Sequence, residues 1–139
     1  MLALLVGLPA CQTKSASADD SADSAARSEA ARLCHAIDRL READNAKKSE
    51  WLSALSAEPC TSLCQLKQVC ASAYQEHVGA LDAIRQVKAY GTELPAPGSS
   101  AGAQITEKLA EAERRLHESR KRAEQCVESQ SEVRRRYRL

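Results

Sequence analysis

Apolar residues recur at alternating intervals of three and four positions along two long stretches of the chain. Such intervals place side chains on one face of an α-helix, so each stretch predicts a helix with a single apolar seam. We predict one helix over residues 59–90 and another over residues 103–138, with Pro59 in the first turn of the earlier helix. The seam positions are Leu63, Leu66, Cys70, Ala73, His77, Ala80, Ile84 and Val87, then Ile105, Leu109, Ala112, Leu116, Ser119, Ala123, Cys126, Gln130, Val133 and Tyr137.

A segment rich in Pro and Gly separates the two seams, from Leu94 to Gly102. Two heptad patterns joined by a short loop of this kind are typical of an antiparallel helical hairpin. A third amphipathic pattern covers residues 24–43, and Trp51, with its neighbours, predicts a short helical turn between that helix and the hairpin. The predicted fold is therefore all-α, a helical hairpin extended to a small three-helix bundle or coiled coil.

The composition indicates that this bundle has a thin core. The chain has 25 Ala and no Phe among 139 residues, and only 3% of its residues are aromatic. Alanine favours helix but buries little apolar area, and small domains with little buried area usually depend on covalent or metal cross-links. The six cysteines are the candidates for that role, so we expect a disulfide-stapled fold.

The predicted hairpin limits which cysteines can meet. If the chain turns near residues 96 and 97, Cys126 lies level with a point between Cys64 and Cys70. If the first two helices are antiparallel neighbours, Cys34 lies level with Cys70. The simplest assignment is Cys34–Cys70 and Cys64–Cys126, which leaves Cys60 as the unpaired thiol, although Cys60 could replace Cys64. A Cys60–Cys64 pair is not expected within a regular helix, where that spacing rarely suits disulfide geometry.

The sixth cysteine follows a short apolar run at the N-terminus. Residues 1–10 are uncharged and mostly apolar, too few to span a bilayer but enough for the apolar part of a secretory signal. The run ends in Leu8-Pro9-Ala10-Cys11, which resembles the lipobox of bacterial lipoproteins, although Pro9 is unusual there and no Lys or Arg precedes Lys14. The resemblance implies that residues 1–10 are a signal peptide and that Cys11 is acylated, for example with palmitate, and becomes the first mature residue.

The sequence after Cys11 is polar and rich in Ser, Ala and Asp, which predicts a flexible tether over residues 11–23 before a folded domain of residues 24–139. The lipobox resemblance implies export to the bacterial cell envelope, where disulfides persist. It also favours the periplasmic face of the outer membrane, because Gln12 stands where inner-membrane lipoproteins can carry Asp. No further apolar run is long enough to cross a membrane.

The C-terminus carries the strongest cluster of charge, formed by Arg134, Arg135, Arg136 and Arg138. Cations complement the dipole at the end of a helix, and they could also bind an anionic surface or an acidic envelope protein. A formal net charge of +1 and a pI near 7.6 argue against a nucleic-acid-binding domain. Assembly with further copies through the coiled coil stays open.

Metal binding by thiols is the alternative function. The spacing of Cys60, Cys64 and Cys70 resembles that in the cysteine-lined helices of copper-storing four-helix bundles, which carry many more cysteines than this chain. Thiolates select copper or zinc, but the paired C-x2-C ligands typical of structural zinc sites do not occur. We therefore expect no metal or other cofactor as the first interpretation.

The sequence offers no recognisable catalytic motif. It has no nucleophile elbow, no glycine-rich phosphate loop and no H-E-x-x-H motif. His35, His77 and His117 lie far apart along the chain, and His77 falls on a predicted seam, where a polar residue more often fixes helix register. We expect no enzyme, but a lipid-anchored binding or structural module of the envelope whose biochemical activity the sequence does not specify.

Overall fold

The computed structural model describes residues 17–91, 95–96 and 98–139, with side chains from Ser21 onward. Within these residues the chain forms four α-helices and no β-strand, which confirms the predicted all-α, disulfide-stapled fold. The signal and acylation predictions, including Cys11, lie outside the described residues. The helices are α1 (Ser17–Glu42), α2 (Lys48–Ala57), α3 (Cys64–Lys88) and α4 (Ser100–Tyr137).

The helices alternate in direction. Near the start of α1, Arg27 donates to the backbone oxygen of Arg138 at the end of α4, and further along α1 Arg41 donates to Gln130. Helix α1 is therefore antiparallel to α4 and parallel to α3. The short α2 returns along α1, and the Arg39 guanidinium lies 4.3 Å from the centre of the Trp51 ring.

Three element boundaries differ from the sequence predictions. Helix α1 begins at Ser17, so residues 17–23 are helical rather than tether, in keeping with the acidic residues of its first turns, which the helix dipole favours. The predicted short turn near Trp51 is a complete helix of ten residues. Helix α3 begins at Cys64 rather than Pro59, since residues 59–63 are irregular and the backbone N–H groups of residues 61–63 donate to a side chain of α1.

The molecule has two unequal halves. The bundled half comprises α1, α2, residues 63–71 at the start of α3 and residues 126–137 at the end of α4. Its largest fully buried side chains are Leu33, Ile37, Leu40, Leu55, Cys70 and Cys126.

The hairpin half comprises residues 73–88 of α3 and residues 100–119 of α4. Here α3 and α4 pack against each other, and the buried seam consists almost entirely of small side chains. Ser99 begins α4 by accepting a hydrogen bond from the Gly102 N–H at 3.1 Å. The buried seam residues are Ala73, Ala80, Ala83, Ile105, Ala112 and Ser119.

Candidate functional site

The cysteines pair differently from the sequence prediction. Cys60 is bonded to Cys64 and Cys70 to Cys126, while Cys34 is a buried free thiol. The predicted pairs Cys34–Cys70 and Cys64–Cys126 are therefore wrong, as is the choice of Cys60 for the unpaired position. The expectation that two disulfides staple the domain is confirmed.

Two structural differences explain the corrected pairing. The hairpin turns slightly later than predicted, which brings Cys126 level with Cys70 instead of between Cys64 and Cys70. Cys60 precedes α3 in an irregular segment that bends at residues 61 and 62. The bend brings its Cα to 5.1 Å from that of Cys64, within disulfide range. Because α2 is a full return helix, α1 and α3 are parallel, and the antiparallel register that would set Cys34 against Cys70 does not exist.

The Cys34 thiol lies where α1 meets the end of α4. Burial raises its pKa, although a hydrogen bond and the charge of Arg134 and a hydrogen bond from Gln130 act in the opposite direction. The backbone oxygen of Cys34 accepts from Gln130 Nε2 at 3.1 Å. A buried thiol with a raised pKa is a poor nucleophile at neutral pH.

A polar cluster surrounds this thiol and connects α1 to α4. Gln130 is 3% exposed and donates to Asp38 at 3.0 Å while its side-chain oxygen accepts from Arg41. Asp38 also pairs with Arg134. Both the oxygen and the nitrogen of the Gln130 amide are hydrogen-bonded to side chains of α1. This cluster therefore fixes the position of α1 along α4.

The four C-terminal arginines do not form one free patch. Arg134 is committed to Asp38 on α1, and Arg138 ends α4 in the left-handed conformation, with its backbone oxygen facing Arg27. Arg135 and Arg136 are exposed. The exposed cations at this end of the bundle therefore come from α4 and from Arg27 of α1, which the sequence did not single out.

Glu29 is a buried carboxylate that the sequence analysis missed. It accepts hydrogen bonds from the backbone N–H groups of Thr61 at 2.7 Å, Ser62 at 3.1 Å and Leu63 at 3.1 Å, and from the Ser62 hydroxyl at 2.9 Å. Burial alone would raise its pKa, but these bonds together lower it to about 2. Glu29 thus binds the segment that leads into α3, whose own N-cap residue makes no side-chain capping bond.

Lys48 is the complementary buried cation. Its ammonium group donates to the backbone oxygens of Leu40 at 2.8 Å and Arg41 at 2.7 Å, the last turn of α1. Burial lowers the Lys48 pKa, and the nearby Asp44 opposes that shift. Burial of the His77 ring lowers the pKa of His77, and the charge of Lys48 lowers it further. The Nε2 atom of His77 is hydrogen-bonded to Asn45 Oδ1 at 3.2 Å. These groups stabilise helix ends and offer no open site for chemistry.

An open groove runs along the hairpin half, and we call it the distal groove. It has a volume of about 390 Å³. Leu109, which the seam pattern predicted to be buried, is 49% exposed here. The lining residues are Ile84, Leu109, Ala112 and Leu116, with Glu113, His117 and Arg120.

The described residues contain no group of three or more His, Cys, Asp or Glu side chains arranged to hold a metal ion. Four of the five cysteines after Cys11 are in disulfides and cannot act as thiolate ligands. The three histidines lie in three separate places, with His77 near α2 and His117 in the distal groove. In the same part of the chain, no helix is both long enough and apolar enough to cross a membrane.

No protein-family model, curated protein or solved structure matches the chain.

Proposed function

We propose that this chain is an exported, lipid-anchored binding or structural module of the bacterial cell envelope, and not an enzyme. The observation that carries the proposal is the succession of Leu8-Pro9-Ala10-Cys11 and a polar stretch ahead of a domain stapled by two disulfides. Disulfides persist in oxidising compartments, so the stapled fold supports export. The acylated residue is Cys11.

The direction of α1 supports an orientation on the membrane. The chain enters the domain at the start of α1, on the side of the bundle where Arg27 meets the end of α4. A lipid on Cys11 would hold this end nearest the membrane. Arg135, Arg136 and Arg138 then lie on the membrane side, where cations are attracted to anionic headgroups by about 1 kcal/mol each.

The opposite end of the molecule would then point away from the membrane. Helix α4 has 38 residues, which corresponds to a length of about 57 Å. The hairpin half therefore presents the distal groove well clear of the lipid surface. We propose that this half carries the binding or structural role and that the bundled half supports it.

Cell fractionation with mass spectrometry of the mature N-terminus tests the proposal. Wild-type protein is expected in the membrane fraction, beginning at an acylated Cys11, whereas Cys11→Ser protein is expected to lose the lipid and the membrane association. Cys34→Ser is the matched control, because it removes a cysteine that is neither acylated nor paired. An unmodified Cys11 in a chain that keeps residues 1–10 would contradict the proposal.

A second arm tests the basic end. Replacing Arg135, Arg136 and Arg138 with Gln is expected to weaken binding of the non-acylated Cys11→Ser chain to vesicles containing anionic phospholipid. Replacing Arg114, Lys121 and Arg122 with Gln removes the same charge elsewhere on α4, outside the distal groove, and serves as control. Equal loss in both variants would contradict a specific role for the C-terminal arginines.

A further inference from the structure

Only every second apolar seam position in the first half of α4 is buried within the molecule. Ile105, Ala112 and Ser119 recur every seven residues and are buried against α3. The intervening seam positions Leu109 and Leu116 line the distal groove instead. A helix with a second apolar stripe of this kind has a face suited to another helix.

The distal groove continues the surface on which α1 lies. Leu109, Val127 and Arg134 are separated by 18 and 7 residues, close to whole numbers of helical turns, so they share one flank of α4. At Arg134 this flank contacts Asp38 of α1. Helix α1 ends at Glu42, and the flank beyond it is left open, with Leu109 and Val127 each 49% exposed.

We propose that a second copy of this chain covers the distal groove through an antiparallel contact between the two α4 helices. The copies are related by a two-fold axis that crosses α4 level with residue 118. This contact places Leu109 of each copy against Val127 of the other, so the two exposed apolar side chains of the flank cover each other. A two-fold contact of this kind uses the same patch on both copies.

The charges on the flank fit the same arrangement. With the axis at residue 118, Leu116 lies opposite the aliphatic part of Arg120 of the other copy. Glu113 of one copy lies within one helical turn of Arg120 of the other, and the pair occurs twice. A parallel arrangement would separate Glu113 from Arg120 by about two turns, so the charges favour the antiparallel one. This inference does not depend on the lipid anchor.

Sedimentation equilibrium of the full, oxidised chain carrying Cys11→Ser tests the contact. We expect a monomer–dimer equilibrium that Leu109→Glu weakens at least about 100-fold, because it buries a charge against Val127. Leu139→Glu is the matched control, since Leu139 is 48% exposed but lies at the far end of α4. A chain that stays monomeric up to about 1 mM overturns the proposal, as does a dimer that Leu109→Glu leaves intact.

A charge exchange tests the orientation. Arg120→Glu sets two carboxylates against each other and is expected to weaken the dimer about 10-fold, corresponding to about 1.4 kcal/mol. The double variant Glu113→Arg with Arg120→Glu restores the opposite pairing and is expected to return within about 3-fold of the parent. Failure of the double variant to recover, with helix content unchanged by circular dichroism, rejects the antiparallel arrangement.

Cross-linking gives a measurement independent of stability. A mixture of Leu109→Cys and Val127→Cys chains is expected to form a covalent dimer with a short bis-maleimide reagent faster than either variant alone. Equal rates in the three samples contradict the pairing. An envelope protein that binds the monomer and protects Leu109→Cys from the reagent would assign the groove to a different partner and overturn the second-copy proposal.

Discussion

The bundled half and the hairpin half are built from the same two long helices but are stabilised in different ways. The bundled half surrounds Leu33, Ile37 and Leu40 with three other helical segments and closes its centre with the Cys70–Cys126 bond. The hairpin half has a narrow seam of alanines, and at its inner end His77 contacts Asn45, next to α2. One chain thus combines a cross-linked core with a projecting pair of helices that retains an open apolar surface.

Polar contacts reinforce the hairpin half where apolar burial is small. Arg115 crosses from α4 to α3, 3.2 Å from Glu76 and 3.1 Å from Glu111 on its own helix. Gly79 makes room for it, because a Cβ there would lie 2.6 Å from the guanidinium. Partly exposed ion pairs contribute only about 0–1 kcal/mol each, so they supplement the seam without replacing a core.

The largest expected loss of stability follows removal of the long-range disulfide. Replacing both Cys70 and Cys126 with Ala removes a bond across 56 residues and is expected to lower the free energy of unfolding by about 4 kcal/mol. Replacing both Cys60 and Cys64 opens a loop of only four residues and is expected to cost about 2 kcal/mol. Urea unfolding of the two double variants measures both values. Equal losses would contradict the view that the long-range bond holds the bundled half together.

Truncating one leucine in each half gives the next largest expected loss, which falls on the bundled half alone. Leu40→Ala removes a fully buried side chain of the bundled half and is expected to cost about 3 kcal/mol. Leu109→Ala in dilute protein is expected to change the free energy of unfolding by less than about 0.5 kcal/mol, because the side chain is half exposed. Denaturant unfolding of both variants checks the comparison. A large loss of unfolding free energy for Leu109→Ala would show that Leu109 is packed within the monomer and does not line an open groove.

The smallest expected effect is confined to the bundled half and depends on pH. Because hydrogen bonds lower the pKa of Glu29 from 4.5 to about 2, its contribution is fully present above pH 4.5 and is lost as the pH falls through about 2. Glu29→Gln is expected to cost about 2 kcal/mol at neutral pH, and the difference from wild type should vanish near pH 2. Unfolding curves across this range test it, with the exposed Glu132→Gln as control. A cost independent of pH would exclude the charge as its source.

Helical period alone was sufficient to predict most of the fold. The intervals of three and four residues correctly indicated the hairpin and the buried positions at Ile105, Ala112 and Cys126, because these depend on local geometry. The same pattern could not show that Leu109 is exposed, since a seam position is buried only if some helix is present to cover it.

The sequence predictions were wrong for the disulfide pairing, which depends on how distant helices align with each other. A hairpin turn slightly later than predicted was enough to replace Cys64 by Cys70 as the partner of Cys126. The roles of Glu29 and Lys48 were not visible either, because their partners lie on other elements and follow no local motif. The polar cluster around Gln130 is another such case: its seam position was predicted, but not the contacts to α1.

The buried thiol of Cys34 bears on how the native disulfides arise. In a chain that enters an oxidising compartment from its N-terminus, Cys34, Cys60, Cys64 and Cys70 are present together before Cys126 arrives. During that interval Cys70 lacks its native partner, and Cys34 has no α4 to cover it. In such a chain other pairs can form and exchange until α4 docks, after which burial withdraws Cys34 from further exchange.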